Sequence, residues 1–229
     1  MTVPSEPVPT PEVVDNIAAG RPVAAVWVNE LGGVTFQVGA GQDREFVKTA
    51  TPEWAHHLVA EADRLRWAAA YIRVPRVLAS SVGWLHTAGV PGRSAVDPRW
   101  SADPRTAARA IGAGLRLLHD ALPVDDCPFG PPPWVTDDGP ADRLVVCHGD
   151  ACAPNTLIGD DGRCCGHVDL GDLGVADRWA DLAVALLSLS WNYEGSLEAE
   201  LLDAYGVAED RARIEGFQRL WNAGDISSH

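Results

Sequence analysis

Residues 146–174, VCHGDACAPNTLIGDDGRCCGHVDLGDLG, set three oxygen-bearing side chains at spacings that chemistry can use. Asp150 stands five positions before Asn155, and Asp169 follows 14 residues later between the apolar Val168 and Leu170. Strand-like runs, LVV and GHVDL, flank the loop, so the three side chains are expected to converge at its mouth. Two of the three are able to coordinate Mg²⁺, a hard cation that prefers oxygen ligands, and one is free to take a proton. Phosphoryl transfer needs that division of labour. A metal neutralises phosphate charge while a carboxylate orients the attacking hydroxyl.

The spacing also matches the kinase catalytic loop HRDxxxxN, with Asp169-Leu170-Gly171 as the Asp-x-Gly triplet that follows it. A site of this kind needs a cation on the phosphates, and Lys48 is placed for it at the end of the β-rich run REFVK. The next helix supplies the carboxylate to hold that lysine, with Glu61 better placed than Asp63. Gly32 and Gly33 are expected to form a turn whose backbone amides approach the phosphates. No GxxxxGKS/T stretch occurs, which excludes the P-loop route to nucleotide binding.

The elements that must position these residues fall into two groups. From Val23 to Ala50, short β-rich runs broken by Gly32-Gly33 and Gly39–Gly41 read as an antiparallel meander. Thr51 and Pro52 then supply an N-cap and first-turn proline for a helix to about Tyr71, with Leu58, Ala62, Leu65 and Ala69 on one face. Two more short strands complete a sheet-rich lobe over 13–88, after a loose Pro-rich tail over 1–12. Beyond it, 89–229 reads as helical. Asp103-Pro104 opens a helix to His119, CPFGPPPWVTDDGPADR is a breaker-rich connection, a helix starts near Arg178, and two more are separated at Gly206. The fold class is α+β, a small antiparallel sheet with one helix preceding a larger helical lobe. Trp179, Trp191 and Tyr193 read as packing residues.

Composition narrows the partners. With 18 basic against 32 acidic residues, the formal charge is −14, which argues against a phosphate-backbone partner and favours a cationic small molecule. No apolar run is long enough for a membrane span and no secretory signal opens the chain, so a cytoplasmic protein is expected. The five cysteines fit reduced thiols. A zinc knot of Cys147, Cys152, Cys164 and Cys165 is disfavoured, because an adjacent pair presents both sulfurs poorly to one tetrahedral ion. A nucleophile built on Cys147 and His148 is disfavoured because neighbouring strand residues point to opposite faces.

VVCHGDACAPNTLI, GHVDLGDLGVADRWADLA and REFVK…EADRLRW…VPRVL together resemble the aminoglycoside phosphotransferase family, in its antibiotic 3'- and 3''-O-phosphotransferase branch. The resemblance implies a protein-kinase-like bilobal fold, ATP or GTP with Mg²⁺ bound between the lobes, and an aminoglycoside or amino sugar as the phosphoryl acceptor. It implies Asp150 as catalytic base, Asn155 and Asp169 as metal ligands, Lys48 as phosphate contact and Glu61 as its partner. It also implies that the backbone of Thr87 to Gly89 forms a hinge that bonds the adenine, and that Asp177, Arg178 and Asp181 brace the catalytic loop. Three departures stand out. Family members carry a longer helical segment where only Gly130 to Arg143 lies here. They have arginine at the place of Asp172, where a negative charge disfavours phosphate. They end in two carboxylates where this chain has Asn222 and Ala223, with Asp225 and the C-terminal carboxylate as substitutes.

Asp172 and the shortened segment motivate one alternative, a degenerate kinase fold that binds ligand without turnover. A doubled His-x-Asp pattern, His148 with Asp150 and His167 with Asp169, motivates another, a two-metal hydrolase.

Overall fold

The computed structural model describes residues 4, 6–29, 31–136 and 139–226, with the backbone alone at 225 and 226. Two compact units divide the chain, one of Met1–Ala69 with Pro75–Val90 and one of Ala70–Val74 with Pro91–His229.

The first unit is built on a five-stranded antiparallel sheet in the order β1-β2-β3-β5-β4. Its strands are β1 (Val23–Val28), β2 (Val34–Val38), β3 (Glu45–Thr49), β4 (Val77–Ser81) and β5 (Trp84–Ala88). Because side chains alternate along a strand, Phe36, Val38 and Val47 bury one face against Val14 and Ala18 of α1 (Glu12–Ala18). Lys48, one residue on, points to the opposite face, where α2 (Ala55–Ala68) lies. α1 was not expected from the sequence, since its first turn follows a proline-rich run that reads as a tail; Pro11 stands as its N-cap. α2 also differs in its limits. A 3₁₀ turn over Pro52–Trp54 precedes it and the Thr51 side chain caps nothing. The buried stripe closes at Ala68, three residues after Leu65, which leaves Ala69 exposed.

The second unit is mainly helical: α3 (Pro98–Ser101), α4 (Pro104–Ala121), α5 (Arg178–Asn192), α6 (Glu198–Tyr205) and α7 (Arg211–Ile226). Asp103 caps α4 through the Thr106 amide and Asp177 caps α5 through the Trp179 amide, each contact worth about 1 kcal/mol. α5 is buried on nearly every side, from Trp179 to Leu189, and forms the spine of the core. Two small antiparallel sheets pack against α4 and α5. β7 (Leu144–Cys147) pairs with β10 (Gly174–Asp177), and β8 (Thr156–Ile158) lies between β6 (Arg93–Ser94) and β9 (Cys164–His167). Trp179 and Tyr193 pack in the core as expected, whereas Trp191 is 56% exposed, because the last turn of α5 rotates it away. No described helix is long and apolar enough to cross a membrane.

Candidate active site

β7 and β10 pair in register, with Cys147 opposite Gly174, and this fixes where the chain leaves the sheet at His148. The loop then closes in a 3₁₀ turn over Ala153–Asn155. The Asn155 side-chain nitrogen donates to both the backbone carbonyl and Oδ2 of Asp150, each at 3.0 Å. Both partners are acceptors, so the amide nitrogen must face them and the Asn155 Oδ1 is left for another ligand. The Asn155 carbonyl accepts from the Val168 amide at 3.0 Å, which draws the end of β9 to the same loop. Asp169 follows with φ 63, a left-handed conformation that a non-glycine residue adopts at a cost of about 1–3 kcal/mol and that clusters at functional sites.

The electrostatics fit a dication. Burial first, and then the neighbouring charge of Asp169, push the Asp150 carboxyl above its ordinary value. Asp150 Oδ1 is buried and has no hydrogen-bond partner among the described residues. Two mutually repelling carboxylates and a free amide oxygen form a hard, all-oxygen donor set, and a bound Mg²⁺ would relieve the repulsion.

Buried groups on α5 hold this loop from behind. Asp181 Oδ2 accepts from the His148 amide at 2.6 Å and Oδ1 from the Gly149 amide at 3.0 Å. His119 on α4 adds a contact to Oδ2 at 2.9 Å. Burial works to raise the Asp181 carboxyl, but the His119 hydrogen bond and charge outweigh it and hold the group below the usual carboxylate range. Ser188, one polar residue in an otherwise apolar helix face, accepts from the Ala153 amide at 2.9 Å. That polar position inside the run LAVALLSLSW is the signal that could have marked it. Asp177 and Arg178 brace the approach to β7 instead: Asp177 Oδ2 accepts from the Asp142 amide and from Arg213, both at 2.7 Å, and Arg178 pairs with Asp142.

His148 offers no ligand nitrogen: its Nε2 donates to the Val168 carbonyl at 3.0 Å and its Nδ1 accepts from the Asp150 amide at 3.3 Å, so both nitrogens serve the backbone and the two-metal hydrolase reading loses one of its two histidines. His119, Cys147 and Asp181 also cluster, but their atoms are engaged with one another, with Tyr205 and with the Asp177 carbonyl. All five cysteines are free thiols.

Cys164 Sγ lies 3.6 Å from His167 Nε2, and burial pushes the thiol up to about 11 and the imidazole down to about 3, so this pair is neutral. Below an unfolded-state value of about 6.5, the unfolded chain binds a proton at His167 that the folded chain refuses. Stability is therefore expected to fall as pH drops from about 6.5 towards 3, by about 1.4 kcal/mol per pH unit from this group alone. Urea midpoints measured across that range should fall more steeply for the wild type than for His167→Asn; parallel slopes would refute the assignment.

In the first unit, Lys48 Nζ lies 2.7 Å from Glu61 Oε1, with the glutamate side chain only 5% exposed. A buried carboxylate is tolerable only when so paired, and the pair fixes the aim of the ammonium. Asp63 is exposed and pairs with Arg66. The glycine turn departs from expectation. The Leu31 and Gly33 amides donate to Asn29 Oδ1 and the Gly32 amide to the Asn29 carbonyl, so Asn29 takes the donors that were expected to meet phosphate. At the hinge, two amides are engaged within the sheet unit. Thr87 is buried within β5, and the Gly89 amide donates to the Arg44 carbonyl at 2.8 Å and the Ala88 amide to Arg76, so neither amide is left for a base. Asp172 is half-buried, and its carbonyl packs against Gly149. Asn222 and Ala223 are exposed on α7, and the Asp225 side chain and C-terminus lie outside the described residues.

A family model described as phosphotransferase enzyme family matches residues 31–140 and 131–217. An aminoglycoside 3'-phosphotransferase of Streptomyces ribosidificus is 34% identical over 218 residues, covering 74% of this chain and 82% of that protein. A streptomycin 3''-kinase of Streptomyces griseus is 30% identical over 263 residues, covering 92% and 94%. Among solved structures, an aminoglycoside phosphotransferase of Streptomyces rimosus in complex with ADP and streptomycin superposes with a TM-score of 0.66 at 27% identity, covering 84% of this chain and 92% of that one. The architecture is the expected protein-kinase-like α+β fold, with a second helix, α1, added to the sheet unit. Matching elements, catalytic-loop spacing and relatives over most of the chain agree, and this protein belongs to the phosphotransferase enzyme family.

Proposed function

We propose that the enzyme transfers the γ-phosphoryl group of ATP or GTP to a hydroxyl of an aminoglycoside or related amino sugar. The observation that carries this reading is the Asp150 carboxylate, with one oxygen tied to Asn155 and the other buried without a partner beside Asp169. An acceptor hydroxyl would donate to that second oxygen, which orients it and receives its proton as the new phosphoester bond forms. Asn155 Oδ1 and the Asp169 carboxylate would hold Mg²⁺, which supplies charge neutralisation on the phosphates. Lys48, aimed by Glu61, would contact those phosphates, so the unit spanning 13–88 serves the nucleotide and 89–229 the chemistry and the acceptor. The net charge of −14 favours a cationic acceptor over an anionic one. A cytoplasmic location accords with the nucleotide that the reaction consumes.

Such a reaction runs on positioning and electrostatics rather than on covalent chemistry by the protein. The testing experiment incubates the enzyme with Mg²⁺, ATP or GTP, and a panel of aminoglycosides and amino sugars, and reads acceptor mass. A phosphate-sized gain on a panel member is the expected result. Nucleotide-induced thermal stabilisation with no phosphorylated product would instead favour the degenerate binding fold.

A further inference from the structure

The short connection before β7 carries a group that reaches the catalytic loop. Trp134 is 8% exposed, and its indole Nε1 donates to the Gly149 carbonyl at 2.7 Å. That carbonyl belongs to the peptide joining Gly149 to Asp150, and the amide of the same peptide donates to His148 Nδ1. Both ends of the peptide unit are thus tied. The tie matters because Gly149, at φ +89, occupies a region where glycine has little intrinsic preference and where a Cβ would run into the Asp172 carbonyl. The orientation of this residue is therefore imposed from outside, and with it the direction in which Asp150 leaves the backbone.

Trp134 is itself fixed from α7. Its ring meets Trp221 edge to face, with centroids 5.1 Å apart at 85°. Gly224 lets the helix approach, since a Cβ there would stand 2.9 Å from the Trp134 Cβ. At the other end of the segment, the Gly130 carbonyl occupies the space that a Cβ on Gly174 of β10 would need.

We infer that Trp134 is a positioning residue for the phosphoryl-transfer reaction: its indole N–H sets the peptide plane that aims Asp150, and links that aim to the C-terminal helix. This rests on the proposed role of Asp150 as base. Loss of the N–H frees the Gly149 peptide to rotate and misplaces the carboxylate, and misplacement on the ångström scale costs up to about 10²-fold in rate.

The test compares the wild type with Trp134→Phe and with a protein carrying 3-benzothienylalanine at 134, an isostere of tryptophan that lacks the N–H. Both are expected to lower kcat by about 10- to 100-fold with the nucleotide KM unchanged, and the isostere is expected to keep the wild-type melting temperature. A merely structural tryptophan would lower the melting temperature and leave the kcat of the folded isostere intact, and that result overturns the inference. If the wild type phosphorylates nothing in the panel, the proposed function fails separately. Trp134 is then judged by hydrogen exchange at the Asp150 amide. Faster exchange in the isostere supports the tie, and unchanged exchange refutes it.

Discussion

Replacing Asp150 with alanine is expected to lower turnover by roughly 10²-fold or more while leaving nucleotide affinity nearly unchanged. The Asp150 Oδ1 is buried without a hydrogen-bond partner among the described residues, and Asn155 already holds the other carboxylate oxygen. Alanine removes the acceptor for the substrate proton, yet Asn155 Oδ1, Asp169 and the Lys48–Glu61 pair remain to serve metal and phosphates. The loss therefore belongs in kcat rather than in the nucleotide KM. A coupled assay with the acceptor identified by mass spectrometry measures it, and an Asp150→Ala enzyme at full rate would remove the base from the mechanism.

Asp181→Ala is expected to cost about 3–5 kcal/mol of stability, the range for removing one partner from a buried charged network. Three donors converge on this fully buried carboxylate: the amides of His148 and Gly149, and the His119 ring. Alanine would leave all three without the acceptor they converge on. Asp181→Asn keeps one oxygen and is expected to lose less. Urea unfolding of the three proteins checks the order, and an alanine variant within about 0.5 kcal/mol of wild type would show that the contacts carry no weight.

The elements that the sequence announced are those whose signals are local. Asp103-Pro104 opens α4 and Asp177 caps α5 because a short side chain there bonds an amide two or three residues on. Asp150 and Asn155 meet because they stand five positions apart on one loop, a span that the 3₁₀ turn closes. Other contacts of the candidate site involve partners that spacing does not reveal. The amides of Leu31 and Gly33 are engaged by Asn29 Oδ1, an acceptor from the preceding strand end that glycine spacing does not announce. Within the segment expected to bond the adenine, the Gly89 amide donates to Arg44, distant in sequence and adjacent across the β3–β5 ladder. Helix α1 hid behind prolines whose extended preference masks the start of a helix. Trp134 had no legible role at all, since a proline-dense connection has no period and its partner lies 15 residues away on another element.

The most direct measurement of the metal-assisted site is a change of metal preference at Asp169. Asp169→Cys replaces a hard carboxylate with a soft thiolate, which binds Mg²⁺ poorly and softer cations such as Cd²⁺ well. The variant is expected to lose phosphoryl transfer with Mg²⁺ and to regain a measurable part of it with Cd²⁺, under conditions where Cd²⁺ gives the wild type no advantage. A variant that keeps the wild-type rate with Mg²⁺, or that binds nucleotide and stays inactive with every cation, would contradict the assignment of Asp169 as the ligand beside the base.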